Sequence, residues 1–312
     1  MRVVYMGTPD FAVLPLKKIC EAGHEVVAVY TQPDKPKGRS KKLVPSDVKV
    51  AAEELGITVY QPEKLRDAES VEILKGMNPD IIVVAAYGQI LSEEILNIPK
   101  YGCINIHASL LPKYRGASPI EASIINGDEK TGVTIMYMAK GLDTGDIISQ
   151  VETPIGKHNT ETLTAELSKL GAELVVSTMK DLEAGTASRI PQNDEESCYA
   201  GKLDKAMGLI DFSQPAEKLE RLVRGLYPWP CAYTSIGGKN VKILEAEAVE
   251  IDREVSADEI GKVVYADKKK FYVGTGKGAL LFSKLQPEGK KPMELQAFLN
   301  GYKIEVGESI GQ

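Results

Sequence analysis

Cysteine and histidine are scarce in this sequence, which excludes several kinds of site. Its 312 residues include four cysteines, none of them in a CxxC spacing, and three scattered histidines. Zinc sites group such residues at short spacings, and disulfide frameworks need many cysteines in a short secreted chain. We therefore expect no metal, and we expect reduced thiols in a cytoplasmic protein.

Long apolar runs are missing as well. Apart from Arg2, the first seven residues are uncharged and mostly apolar, but this stretch is too short for the hydrophobic core of a signal peptide, and Asp10 follows it closely. Nowhere does an apolar run approach the roughly 20 residues that span a bilayer. We expect the first residues to form a buried strand.

Positive charge is also in deficit overall. The formal net charge is −6, which argues mildly against a nucleic-acid-binding protein. However, residues 205–312 hold 16 Lys and Arg against 15 Asp and Glu, a net charge of +1. Because a local cluster of positive charge can attract phosphate when the total is negative, a polyanionic partner stays possible.

Strand and helix patterns alternate through the first half of the chain. The predicted strands cover residues 2–6, 26–31, 57–60, 80–86 and 102–106, and the predicted helices cover 11–22, 46–55 and 67–77. Several of these strands are continuously apolar, as in strands covered on both faces. The alternation predicts an α/β fold with a doubly wound, mostly parallel Rossmann-like sheet. Further strands over 131–138 and 147–155 have mixed direction, and a long helix over 160–184 is interrupted or bent at Gly171.

The chain is long enough for two domains. Periodicity fades in a polar, turn-rich segment, so we predict a first domain over 1–189 and a linker over 190–205. Residues 206–312 begin with a helix over 216–226. Short strand candidates follow at 233–236, 241–249, 261–265, 270–275 and 279–285. Glycine-rich turns between them predict a smaller OB-like β-barrel.

Asn105 and His107 end the predicted strand over 102–106, two residues apart. Residues at this spacing point to the same face of a strand, and open parallel sheets bind ligands beyond this edge. Asp143 lies in a glycine-flanked loop. An amide donor, a proton carrier and an orienting carboxylate suit acyl transfer. A structural histidine and a simple turn aspartate are the alternatives that the residues alone leave open.

Two other segments follow predicted strands. The turn Gly7-Thr8-Pro9-Asp10 is not a GxGxxG fingerprint, which argues against a nicotinamide site. It is either a plain turn or part of a substrate-binding surface. The segment Tyr87-Gly88-Gln89-Ile90-Leu91 either lines a site for a flat ring or packs in the core.

A basic loop follows the second predicted strand. Only Asp34 opposes its positive side chains, which belong to Lys35, Lys37, Arg39, Lys41 and Lys42. A solvated loop is the common explanation for such a cluster. Because this loop leaves the sheet at the same edge as Asn105, it is also well placed to contact a polyanion.

These motifs carry a family resemblance. The string Asn105-x-His107-x-Ser109-Leu110-Leu111-Pro112, then Arg115-Gly116 and Leu142-Asp143-Thr144-Gly145-Asp146, resembles the folate-dependent formyltransferases. Residues 7–12, residues 31–39 and Pro228-Trp229-Pro230 make the chain similar to the branch of that family that acts on methionyl-tRNA. The resemblance extends from about residue 2 to about residue 300.

The resemblance implies formyl transfer from 10-formyltetrahydrofolate to initiator methionyl-tRNA, for translation initiation. It implies that Asn105, His107 and Asp143 are catalytic and that Arg39 contacts tRNA. It assigns folate binding to Ser109, Leu110, Leu111 and Pro112, and tRNA binding to the C-terminal domain. We expect a monomer. The alternatives are a formyltransferase acting on a small amine, a non-catalytic folate-binding RNA module and a formyl-folate hydrolase.

Overall fold

The computed structural model describes residues 1–37 and 42–311, which form two compact units. The first unit comprises residues 1–119, 130–154 and 164–200, and the second comprises residues 120–129, 155–163 and 201 onward. Residues 190–200, predicted as part of a linker, thus belong with the first unit. The predicted domain bounds of 1–189 and 206–312 stay a prediction.

A seven-stranded sheet forms the centre of the first unit, in the order β10-β9-β7-β6-β1-β2-β5. The strands of this unit are β1 (Arg2–Gly7), β2 (Glu25–Tyr30), β3 (Lys35–Lys37), β4 (Lys42–Val44), β5 (Val59–Tyr60), β6 (Ile81–Ala85), β7 (Cys103–His107), β8 (Arg115–Gly116), β9 (Lys130–Tyr137), β10 (Ile147–Pro154) and β11 (Tyr199–Ala200). The five from β7 to β5 are parallel, whereas β9 and β10 are antiparallel to their neighbours. The predicted, mostly parallel α/β sheet is confirmed.

The central strands of this sheet are apolar on both faces. All five residues of β6 are buried, as are five of the six in β1. The continuous apolar runs read from the sequence therefore mark strands covered on both sides. Two short pairs lie outside the sheet, with β3 antiparallel to β4 and β8 parallel to β11.

Eight α-helices occur in the described residues. They are α1 (Val13–Glu21), α2 (Asp47–Glu54), α3 (Ala68–Gly76), α4 (Glu93–Leu96), α5 (Pro119–Asn126), α6 (Thr160–Ala184), α7 (Ala216–Leu226) and α8 (Leu295–Leu299). Of the predicted interruption or bend at Gly171, the interruption is wrong, because α6 is continuous, and the bend stays a prediction. A Cβ atom at Gly171 would lie 2.9 Å from Cγ2 of Ile106, so glycine here permits close packing of α6 on β7. Within 1–37 and 42–311, no helix is long and apolar enough to cross a membrane.

The second unit is rich in strands, as predicted. Its antiparallel sheet has the order β12-β13-β16-β15-β14, with β17 paired to β16. These strands are β12 (Ala232–Ile236), β13 (Lys239–Val249), β14 (Val263–Ala266), β15 (Phe271–Gly274), β16 (Ala279–Pro287) and β17 (Met293–Glu294). The apolar face of α7 packs on the sheet through Leu219 and Val223. In the same core, the rings of Phe271 and Phe282 meet edge to face at 5.7 Å.

Candidate active site

Asn105 and His107 lie at the carboxyl end of β7. On one side β7 pairs with the parallel β6, and on the other with the antiparallel β9. The direction of the sheet therefore changes at the strand that carries both residues. His107 is 6% exposed, whereas Asn105 is half-buried. Among the described residues, the Asn105 side-chain amide makes no hydrogen bond, so its donors are available at this edge.

The imidazole of His107 has two different neighbours. Its Nε2 atom lies 2.9 Å from the carbonyl oxygen of Tyr114. Since a carbonyl oxygen only accepts, Nε2 carries the hydrogen and donates it. The other ring nitrogen, Nδ1, lies 3.8 Å from Oδ2 of Asp143, which is longer than a direct hydrogen bond. The Tyr114 contact thus fixes the ring with Nδ1 towards Asp143.

Asp143 is held by a backbone amide and has an unusual backbone conformation. Its Oδ2 atom accepts a hydrogen bond of 2.8 Å from the backbone N–H of Gly116. Its backbone adopts a left-handed conformation, with φ +52°, which non-glycine residues rarely adopt. The structure therefore brings Asp143 to His107, as the sequence predicts, while Asn105 shares the strand with His107.

The segment Ser109–Pro112 forms a turn held against β9. The Ser109 hydroxyl donates to the carbonyl of Lys113 at 2.7 Å, and Thr134 Oγ1 donates to the carbonyl of Ser109 at 2.7 Å. Thr134 Oγ1 also accepts from the N–H of Leu111 at 3.1 Å. Ser109 is fully buried and Leu111 nearly so. Only Leu110 and Pro112 of these four residues keep partly exposed side chains.

Tyr87 belongs to the core rather than to an open surface. Its side chain is 1% exposed and packs in the cluster that contains Met6 and Val84. Burial raises the pKa of its hydroxyl, which has no hydrogen-bond partner among the described residues. The carbonyl of Tyr87 accepts from Thr8 Oγ1 at 2.8 Å, which ties together the turns after β1 and β6. The structure therefore supports core packing for Tyr87 and Leu91, whereas Ile90 of the same segment is 86% exposed.

The sequence did not indicate a role for Gln192 or Asp194, which lie in the predicted linker. Nε2 of Gln192 donates to the carbonyls of Asp143 at 2.9 Å and Gly145 at 2.7 Å. Arg115, only 2% exposed, donates to Gln192 Oε1 at 3.0 Å and to Asp194 Oδ1 at 2.7 Å. Polar composition alone predicts a loop but not these partners.

Arg39 and Lys41 of the basic loop lie outside the described residues. The loop's flanks form the β3–β4 pair, and Asp34 precedes it. The Asp34 carboxylate accepts from Gln61 Nε2 at 2.7 Å and from Lys49 Nζ at 2.9 Å. The hydrogen bond from Gln61, followed by that from Lys49, lowers the pKa of Asp34. Asp34 is therefore paired with Lys49 of α2.

Neither a disulfide nor a metal-binding cluster occurs in the described residues at this edge. All four cysteines are free thiols, and burial raises the pKa of Cys103 to about 12. In the part of the chain that the structure describes, no group of three or more His, Cys, Asp or Glu side chains is arranged to hold a metal ion. What this edge offers chemically is an amide donor, an oriented imidazole and a carboxylate.

Comparison with solved structures places this geometry on a known fold. WlaRD, described as a sugar 3N-formyl transferase, superposes with a TM-score of 0.66 at 20% identity, over 93% of this chain and 99% of that chain. HypX from Aquifex aeolicus in complex with tetrahydrofolic acid superposes with a TM-score of 0.63 at 19% identity, over 98% of this chain and 48% of that chain. At such identities these likenesses show the fold alone.

Sequence comparison is more specific. The formyl transferase profile matches residues 1–179, and the formyl transferase C-terminal domain profile matches residues 202–303. Methionyl-tRNA formyltransferase of Lachnospira eligens is 51% identical over 315 residues, 100% of both chains. That of Bacillus subtilis is 47% identical over 312 residues, 99% of this chain and 98% of that chain. The chain therefore belongs to the formyl transferase family.

Proposed function

We propose that this enzyme transfers the formyl group of 10-formyltetrahydrofolate to the amino group of initiator methionyl-tRNA, giving formylmethionyl-tRNA for translation initiation. The observation that carries the proposal is identity along the whole chain. Relatives named methionyl-tRNA formyltransferase are 45% to 51% identical over essentially the full length of both chains, so both family domains are included.

The reaction exchanges one carbon–nitrogen bond for another. The neutral amine attacks the formyl carbon, the bond from that carbon to N10 of the folate breaks, and one proton passes from the amine to N10. Negative charge develops on the formyl oxygen during attack. The side-chain amide of Asn105, which makes no hydrogen bond to the described residues, is the donor for that oxygen, and such a donor is worth about 3–4 kcal/mol in comparable sites.

His107 uses Nδ1 either to carry the proton of the amine or to bear positive charge that stabilises the oxyanion. Its Nε2–H stays on the Tyr114 carbonyl, 2.9 Å away, so proton exchange takes place at the other nitrogen. Asp143, 3.8 Å from Nδ1, orients the ring and stabilises positive charge that develops on it. This geometry is compatible with both roles of His107, as a proton carrier and as a charged group that stabilises the oxyanion.

Folate contacts are proposed for the Ser109–Pro112 turn. Since the Ser109 hydroxyl is bonded to Lys113, the turn offers Leu110, Pro112 and its backbone to the co-substrate. The turn lies next to His107 in the chain, so a folate bound against it presents the formyl group close to the imidazole. The chemistry proposed here assigns no step to a metal ion.

The tRNA contacts are proposed for Arg39 and for the second unit. There the hairpin between β14 and β15 carries Lys268, Lys269 and Lys270, and the Lys270 ammonium lies 5.1 Å from the ring centre of Tyr272. Lysines can bind a phosphate backbone, and the aromatic rings beside them can stack on bases.

We also propose that the enzyme is a monomer, because a single chain supplies Asn105, His107 and Asp143. We propose a cytoplasmic location, because all four cysteines are free thiols.

One substrate comparison tests the proposed function. The enzyme is incubated with formyl-folate and either methionyl-tRNA, uncharged tRNA, an amino sugar nucleotide or water alone. We expect formylation of methionyl-tRNA only. Formylation of the amino sugar would support the small-amine alternative, formate release in water would support a hydrolase, and binding of tRNA without turnover would support a non-catalytic module.

A further inference from the structure

The loop that carries Asp143 has no regular secondary structure to hold it. It comprises residues 138–146, between β9 and β10, and is called the Asp143 loop below. Asp143 itself has φ +52°, a conformation that costs a non-glycine residue free energy and persists only when its surroundings impose it. Something outside the loop must therefore restrain its backbone.

The Met138 N–H donates to the carbonyl of Cys103 at 2.8 Å and Arg189 Nε to Asp146 Oδ2 at 2.7 Å at the two ends of the loop, and Gln192 supplies the restraint at Asp143 itself. Its Nε2 atom donates one hydrogen to the carbonyl of Asp143 at 2.9 Å and the other to the carbonyl of Gly145 at 2.7 Å. Its Oε1 atom accepts from Nε of Arg115 at 3.0 Å. The Gln192 side chain thus uses both amide hydrogens on the loop and its oxygen on a guanidinium that can only donate.

Arg115 links this contact to the carboxylate of Asp143. The next residue, Gly116, donates its N–H to Asp143 Oδ2 at 2.8 Å. Gln192 therefore connects the backbone of Asp143 with the strand that holds the Asp143 side chain. A shift of the Asp143 backbone or of β8 would change the 3.8 Å separation between Asp143 Oδ2 and His107 Nδ1.

Gln192 is itself fixed on both sides in the chain. Ile190 exchanges two backbone hydrogen bonds with Ile147, the first residue of β10, at 2.8 and 2.9 Å. Beyond Gln192, β11 pairs in parallel with β8, and the N–H of Arg115 donates to the carbonyl of Cys198 at 2.9 Å. All of these residues belong to the first unit.

We infer that Gln192 is a positioning residue that holds the Asp143 loop in its reactive conformation. The inference rests on the proposed function, since it assigns Gln192 to the formyl-transfer reaction through Asp143. The inference means that residues 190–200, predicted as part of a linker, help to position a group of the active site. Gln192 touches no reacting atom, so its effect is transmitted entirely through Asp143.

Two variants separate the two halves of the Gln192 amide. Gln192→Ala removes these three hydrogen bonds and a longer one from Nε2 to Met136 Sδ at 3.9 Å. Gln192→Glu keeps the size and the acceptor for Arg115 but faces the two loop carbonyls with an oxygen that cannot donate. Both should lower kcat by about 10²-fold, as small misplacements of catalytic groups do, with KM for formyl-folate within about twofold of wild type. If Gln192→Ala does not fold, the near-isosteric Gln192→Glu carries the test.

Asp194→Ala is the matched control. Asp194 also binds Arg115, from the same segment, but its side chain is 83% exposed and makes no hydrogen bond to the Asp143 loop among the described residues. Its kcat should stay within about twofold of wild type, because the lost partner is a solvent-exposed carboxylate and the buried Arg115 guanidinium keeps its hydrogen bond to Gln192. An equal loss in this control would overturn the assignment to Gln192.

Combination with Asp143→Ala distinguishes positioning from general stability. If Gln192 acts through Asp143, adding Gln192→Ala to Asp143→Ala should lower kcat by no more than about threefold further. A fully multiplicative loss, or wild-type kcat in both Gln192 variants, would overturn the inference. These comparisons assume that the wild type formylates methionyl-tRNA, which the substrate assay tests separately.

A measurement independent of turnover completes the test. The N–H of Gly116, bonded to Asp143 Oδ2, should exchange with solvent about tenfold faster in Gln192→Ala if the loop loosens. Unchanged exchange would overturn the inference even if the substrate proposal fails, and faster exchange would support it in that case too. The two failures are thus distinguishable.

Discussion

His107 Nδ1 lies 3.8 Å from Asp143 Oδ2, while the same carboxylate oxygen accepts the Gly116 N–H at 2.8 Å. The carboxylate is therefore held by a backbone amide from β8 and is not locked onto the imidazole. This arrangement leaves Nδ1 able to exchange a proton with a substrate while negative charge stays close to it.

Asp143→Asn should reduce kcat for methionyl-tRNA formylation by about 10²-fold or more, because it removes the charge that orients and stabilises the His107 ring. The substitution keeps the size of the side chain and an acceptor for Gly116, so the fold should survive. Steady-state kinetics measures the loss. Asp146→Asn is the control in the same loop, since that carboxylate pairs with the exposed Arg189 at 2.7 Å. An equal loss in both variants would contradict a specific role for Asp143.

Much of the fold could be predicted from apolar periodicity. The helix predicted over 216–226 is α7, Ala216–Leu226, because one strongly apolar face alternates with charged residues. Both ends of β7 were predicted to within one or two residues. Asn105 and His107 were therefore placed correctly at the carboxyl end of a strand. Local pattern suffices where burial alone decides the structure.

Long-range polar partners could not be predicted in this way. Nothing in the sequence near Gln192 shows that its amide meets a loop 47 and 49 residues away. The buried Arg115 was part of the family resemblance but had no partner assigned. Likewise, a glycine at position 171 predicts a break or bend in the helix when the sequence is considered alone. In the structure the helix is continuous, and glycine is needed there because α6 packs closely against Ile106.

Gly171→Ala should destabilise the first unit. Alanine gains about 1 kcal/mol of helix propensity over glycine, but its Cβ would lie 2.9 Å from Ile106 Cγ2, and overpacking costs about 1–3 kcal/mol. We expect the free energy of unfolding in urea to fall by about 1 kcal/mol net. Gly76→Ala, with open space around the added Cβ, is the control and should be neutral or stabilising. If Gly171→Ala is as stable as wild type, the Ile106 side chain can move away from the added Cβ without a cost in free energy.

Glu259 should make the second unit sensitive to acid. Hydrogen bonds from Arg253, then from Ser256, lower the pKa of Glu259 to about 2. A carboxyl group with a lowered pKa stabilises the fold above its ordinary value of 4.5, and this contribution is lost as pH falls towards 2. The difference in Tm between wild type and Glu259→Gln should therefore be largest above pH 4.5 and shrink towards pH 2. Glu250→Gln, at an exposed carboxylate, is the control. A constant difference across this range would contradict the assignment.

Arg39→Ala should weaken use of methionyl-tRNA without affecting the folate. Loss of one charge-assisted hydrogen bond predicts a KM for methionyl-tRNA raised about tenfold, with KM for formyl-folate unchanged. Lys42→Ala is the control, since Lys42 is an exposed cation at the start of β4. An equal effect of both variants would show that the loop acts only through its total charge. Equal losses for both substrates would indicate that the loop shapes the folate site instead.

Lys268 and Lys269 should contribute phosphate contacts to tRNA binding. Both are exposed at the hairpin between β14 and β15, where Asp267 Oδ1 accepts the N–H of Lys269 at 2.7 Å and fixes the turn. Each phosphate contact releases counterions and adds about 0.7–0.9 to the slope of log K against log salt. The double change Lys268→Gln and Lys269→Gln should therefore flatten that slope by about 1.5.

The salt series is measured on the full chain, with methionyl-tRNA, so that both units stay in place. The control changes two exposed lysines of the first unit, Lys100 and Lys180, to glutamine, which alters the net charge equally. Its slope should match the wild type, because those lysines have no proposed phosphate partner. If both double variants flatten the slope alike, only total charge matters. If neither does, the hairpin makes no phosphate contact, and the second unit loses its proposed part in tRNA binding.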